Sequence, residues 1–251
     1  MTRLLDSSVL QHPEKIHPAL WRGSQLAHSF QKTVSTGYDA LDEQLPGQGW
    51  PTGALIEIMS PRSGMGEMQL LKPALLNLVN DRSIILVNPP YTPSSLSLQH
   101  WFSDQRILWI RPDTTRNTLW AAEKILQHNT SAALLCWIAD AHPASVQRLH
   151  LAARKSHTLF FSLRPASVAT QSSIAPLRLR LDPDIWGLNV SVLKRRGPRL
   201  NTAIPVYLRK PNTETLFLKG FSRKPLAAHA GRFSTSKSNQ EISEPHKISS
   251  L

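Results

Sequence analysis

The stretch Ile56–Leu71, IEIMSPRSGMGEMQLL, decides how the rest of the chain is read. An apolar run from Ala54 to Met59 reaches a Pro/Ser/Gly loop, and the loop opens into a helical pattern. A phosphate-binding loop sits at such a strand-to-helix junction and reads G-x-x-x-x-G-K-[ST]. Its glycines let backbone N–H groups approach phosphates, and its hydroxyl ligates magnesium. Here Ser60 leads into the loop and Gly64 and Gly66 supply the permissive backbone, but Glu67 and Met68 follow. An anion close to a triphosphate is repelled by roughly 1 kcal/mol even at water-like screening. Methionine offers no oxygen to a metal. The loop is therefore expected to be a turn kept for structure, with no bound ATP and no cofactor.

Strand-like and helix-like segments alternate outward from this point. Strands are predicted at 54–59, 83–88, 106–110, 132–140 and 158–163. A helix is predicted from Glu67 to about Val79, kinked by Pro73. Two more fall on 112–128, with an Asp/Thr cap and Leu119, Ala122 and Leu126 on one face, and on 143–156. The alternation predicts an α/β fold, a mostly parallel sheet flanked by helices. Beyond Pro165 the pattern changes. LRLRLD (177–182) alternates apolar and basic residues, which predicts a strand with one solvated face. Residues 187–199, IPVYLRK (204–210) and LFLKG (216–220) complete a small C-terminal antiparallel extension. The predicted organisation is an arm at 1–33, a core domain at 34–220 and a polar, disordered tail at 221–251.

The chain of 251 residues carries a formal net charge of +12, which favours nucleic acid or an acidic protein surface as partner. One cysteine, Cys136, excludes an intrachain disulfide and suits a reducing cytoplasm. No run is long and apolar enough to predict a membrane span, and the histidines show no metal-ligand spacing. The tryptophans other than Trp21, including Trp109 and Trp137 in predicted strands, are expected in the core.

Several segments resemble the ATPase core of RecA. VSTGYDALDEQLPGQGWPTGALIEI (34–58) is similar to its lead-in, AALLCWIAD ends in Asp140 where that family carries a second nucleotide motif, and VSVLKRRGP is similar to a lysine segment near the end of the core. Within that superfamily the chain resembles the ImuA family, which is RecA/SulA-like and associated with translesion synthesis, through ALWRG, GMGEMQLLKPAL, CWIAD, SLRP and LKRRGP. The resemblance covers roughly residues 17 to 210. It implies a RecA-like core and a non-catalytic accessory role in the SOS response to DNA damage, supporting error-prone translesion synthesis and mutagenesis. The implied partners are ImuB, an error-prone DNA polymerase and RecA, in the cytoplasm and at the nucleoid after damage; DNA contact is possible and indirect.

The residues leave alternatives open. Asp140 is either a remnant of the nucleotide site or a turn residue. Lys194, Arg195, Arg196 and Arg199 form an interface hook toward RecA, a phosphate contact, or a solvated turn. Residues 166–175, where RecA keeps a DNA-binding loop, contain no basic residue. Trp21 and Arg22 anchor a partner or pack on the chain itself. Two rival functions remain: a SulA-like inhibitor of the division protein FtsZ, and an ATPase with a displaced lysine such as Lys72.

Overall fold

The structure is a computed structural model that describes residues 32–78, 82–102 and 106–208. Trp21, Arg22, the LFLKG strand and the tail at 221–251 lie outside the described residues. A short ribbon pairs β1 (Thr33–Val34) with β2 (Trp50–Pro51), so pairing begins inside what the sequence assigns to the arm. Between them lies a single turn, α1 (Asp39–Asp42).

The main sheet follows. Its strands are β3 (Leu55–Ser60), β4 (Ser83–Val87), β5 (Ile107–Ile110), β6 (Ser131–Trp137), β7 (Leu159–Pro165), β8 (Leu177–Asp184), β9 (Gly187–Lys194) and β10 (Ile204–Tyr207). They lie in the order β10-β9-β8-β3-β7-β6-β4-β5. From β8 to β5 every neighbouring pair is parallel; β9 and β10 add antiparallel to that edge, as the change of pattern after Pro165 predicts. Helices α2 (Glu67–Leu76), α3 (Ser95–Trp101), α4 (Thr115–His128) and α5 (Pro143–Arg154) provide the crossovers.

Strand β3 is buried along its whole length, and its alternate side chains feed two cores. Ile56 and Ile58 join Leu70, Leu71 and Leu75 of α2 on one face. Leu55 joins the other core, with Ala122 and Leu126 of α4 and Leu149 and Ala153 of α5. Each such fully buried aliphatic side chain stabilises by about 1.5–3 kcal/mol. The predicted cap of α4 is present: Thr114 Oγ1 accepts from Asn117 N at 3.1 Å.

Pro73 lies inside α2, where it removes the hydrogen bond that the Gln69 carbonyl would accept. The Tyr38 hydroxyl donates to that carbonyl instead, at 3.2 Å. Burial pushes the Tyr38 phenol above its usual pKa and keeps it a donor. The pyrrolidine ring in turn demands Gly37, because a Cβ there would lie 2.3 Å from Pro73 Cβ.

Four expectations are corrected. Helix α2 ends at Leu76, and α3, which no pattern announced, lies between β4 and β5 with no buried residue. Trp109 is 41 % exposed because β5 is the edge strand, and Trp120 projects from the outer side of α4 at 59 % exposure. The basic face of β8 is only half solvated: Arg180 is exposed, whereas Arg178 is buried.

Candidate functional site

Glu67 is the first residue of α2, immediately after Gly66, and is only 3 % exposed. Gly64 and Gly66 adopt φ values of +88° and +107°, which only glycine tolerates readily. The loop therefore has the backbone that a phosphate nest requires. Its amide is already occupied: Gly64 N donates to Glu67 Oε1 at 2.5 Å. The chain's own carboxylate thus takes a group that would otherwise hold an external anion. Glu67 Oε2 is buried without a hydrogen-bond partner among the described residues. Met68 packs against the core under α2 and Ser60 ends β3, so the magnesium-ligand position is filled by an apolar side chain.

Beside the loop, where the chain leaves the carboxyl ends of β3, β4 and β6, is a cavity of about 320 Å³. Met68, Leu86, Tyr91, Leu98, Trp101 and Trp137 are among its apolar lining. Glu67 is the only charged residue among the described residues of its lining. The turn after β4 carries Asn88, whose side-chain amide donates to the Trp137 carbonyl at 3.2 Å. Lys72 is engaged elsewhere, with Nζ 5.2 Å from the centroid of the Trp101 ring. Asp140 is exposed and lines a separate depression with His142, Arg164 and Gln171. The structure thus gathers Gly64, Gly66, Glu67 and Met68 around one cavity and leaves Asp140 out of it.

Lys194 and Arg195 are tied to the chain itself. Lys194 Nζ donates to the Ser173 carbonyl at 2.7 Å, and Arg195 donates to the carbonyls of Pro198 and Gln44. They pin the segment after β7 and the turn after α1. Arg196 and Arg199 are exposed.

Glu57 is the residue that the sequence reading passed over. It lies in the middle of β3, fully buried, with Oε1 on Arg164 Nη1 at 3.0 Å and Oε2 on Arg178 Nε at 2.7 Å. Arg178 also donates to the carbonyls of Val168, Ala169 and Gln171. A carboxylate between two guanidinia thus joins β3 to both of its neighbours in the sheet, β7 and β8. The only signal in the sequence was a lone carboxylate inside an apolar strand, which calls for a polar or cationic partner without saying where in the chain it lies. Cys136 is buried in β6, and burial pushes its thiol up to about 12, so it stays protonated and unreactive.

Among the described residues, no helix is long and apolar enough to cross a membrane. The chain matches no protein-family model and no curated protein.

Proposed function

We propose that the chain is a RecA-like core that has lost nucleotide chemistry and serves as a non-catalytic adaptor of the ImuA type. It would support error-prone translesion synthesis in the SOS response by binding ImuB, an error-prone DNA polymerase and RecA. The observation that carries this reading is the Glu67 carboxylate on the Gly64 amide. A phosphate would have to displace a buried internal anion to enter, with no lysine among the described residues of the cavity wall to receive it. The strand pair β9 and β10 also supports it over the SulA-like alternative, because a minimal division inhibitor would not need that extension.

Calorimetric titration with Mg-ATP is expected to be flat; a micromolar dissociation constant, equivalent to about −8 kcal/mol, would overturn the loss of nucleotide binding. Capture of the tagged chain from DNA-damaged cells is expected to bring down ImuB and RecA. Recovery of FtsZ without either would favour the division-inhibitor reading. For the RecA contact the informative variant is Arg196→Ala with Arg199→Ala, both exposed at the turn, with a thermal melt as the check on folding. RecA affinity is expected to fall; unchanged affinity would remove the turn from the interface.

A further inference from the structure

The opposite end of β3 carries a different site. A pocket of about 680 Å³ opens where β3 and β8 begin and α5 ends. Its charged lining comprises Lys32, Arg154, Lys155 and Arg196, joined by His150 and His157, with no carboxylate among the described residues. These residues reach it from the segment before β1, from α5 and the turn after it, and from the turn after β9. The described ion pairs use Arg148, Arg164, Arg178 and Arg180, so none of them engages Lys32, Arg154 or Lys155. His150 Nδ1 is buried without a hydrogen-bond partner among the described residues.

The end of α5 does not account for this concentration of charge. A helix C-terminus presents roughly half an elementary negative charge, against four formal cations here. Like charges gathered at one place repel one another, and the imidazole of His150 registers the setting: burial first, then the charges of Arg154, Arg196 and Lys194, lowers its pKa from the usual 6.5. An arrangement of this kind is relieved by an external anion.

We propose that this pocket is a docking site for the phosphate backbone of a nucleic acid. The cations come from three separated segments and suit several phosphates in succession better than one point charge. The described lining has no Phe, Tyr or Trp ring on which a base could stack, so the contact is to backbone and independent of sequence. The overall charge of +12 draws a polyanion toward the chain from a distance. Guanidinium and ammonium groups recognise phosphate oxygens by charge-assisted hydrogen bonds. The proposal stands on the pocket alone and does not require the adaptor reading.

The test is fluorescence anisotropy of the full chain with labelled random-sequence oligonucleotides, single- and double-stranded, across about 50–200 mM salt. Two triple variants are compared. One removes Lys32, Arg154 and Lys155, all exposed, by alanine. The other removes an equal charge outside the pocket, at the exposed Arg111, Arg116 and Lys124. Thermal melts check that both fold, and the single charge reversal Lys155→Glu serves if the pocket triple does not. The pocket triple is expected to lose about tenfold or more in affinity. Its slope of log K against log salt is expected to fall by about 0.7–0.9 for each phosphate that is no longer neutralised. The control triple should lose less and keep its slope. Equal losses in the two triples would reduce the effect to net charge and overturn the proposal, as would absence of binding by the wild type. Displacement of the oligonucleotide by tripolyphosphate at equal phosphate concentration would overturn it in favour of a small polyphosphate. Tighter binding to phosphatidylserine vesicles than to either oligonucleotide would overturn it in favour of a lipid surface.

Discussion

The two ends of β3 differ in charge, wall and opening chemistry. At its carboxyl end the loop cavity is largely apolar and holds one carboxylate, Glu67, with no cation among the described residues of its lining. At its amino end the pocket holds four cations and no described carboxylate. The end at which a strand–loop–helix would receive phosphate is thus the end whose described lining holds no cation. Midway between the two, Glu57 is buried and satisfied by two guanidinia. One strand therefore carries a structural carboxylate at its centre, a self-occupied loop at one end and a basic pocket at the other.

The comparison breaks most visibly at its centre. Replacing Glu57 by leucine leaves Arg164 and Arg178 buried without their anion and loosens the hold of Arg178 on its carbonyls. Removal of one partner from a buried ion pair costs about 3–5 kcal/mol. Urea denaturation should show a loss of that size; a loss under about 1 kcal/mol would mean that the guanidinia reach water or other acceptors. Replacing all three residues by apolar ones, Glu57→Leu with Arg164→Met and Arg178→Met, should recover much of the stability, because no buried charge then remains in the trio.

Glu67 sharpens the contrast, since it is nearly as buried as Glu57 but bonded only through one oxygen. Glu67→Gln keeps an oxygen to accept from Gly64 N and removes a charge that no cation of the cavity wall neutralises. The expected change in stability is within about 1 kcal/mol, of either sign. A loss approaching that of Glu57→Leu would show that the charge itself holds the loop, and the two carboxylates would then be alike. On the proposed reading a titration of this variant with Mg-ATP is expected to be flat as well, because the lysine and hydroxyl are still missing.

The loop departs from the phosphate-loop pattern in adjacent residues, and so that departure was legible from Gly66, Glu67 and Met68 alone. The parallel sheet was legible for a similar reason: continuous apolar runs such as 132–137 declare a strand buried on both faces. What the sequence concealed depends on partners far apart in the chain. Arg178 looked solvated because its carboxylate lies 121 residues away, and Glu57 looked incidental because both guanidinia come from later strands. Trp109 looked buried because strand order, not local pattern, makes β5 an edge. The basic pocket was hidden most completely, since no two of its three contributing segments are adjacent in sequence. Lys194 and Arg195 stood out as a cluster, yet their position at a strand end lets them reach carbonyls of their own chain.

The smallest expected effect lies at the basic end and concerns pH. His150 is half-buried, faces Arg154, Arg196 and Lys194, and shares its pocket with Lys32, Lys155 and His157. Its pKa in the folded chain lies below the unfolded value of 6.5. The unfolded chain therefore binds a proton that the folded chain resists as pH falls through 6.5, and folding stability declines in that window. Above it the imidazole is neutral in both states and contributes no such penalty. His150→Gln cannot take the proton, so the variant should gain stability relative to wild type on acidification from about pH 7.5 to 5.5. The other titrating groups largely cancel in that difference. Urea denaturation of both proteins at the two pH values measures it, and a difference unchanged by pH would show that neither burial nor the cations around His150 act on it. Adding a polyphosphate should shrink the gap, because an anion among Lys32, Arg154, Lys155 and Arg196 offsets the field that keeps the imidazole neutral. A gap that persists at saturating polyphosphate would place the anion away from His150 and separate the two features of the pocket.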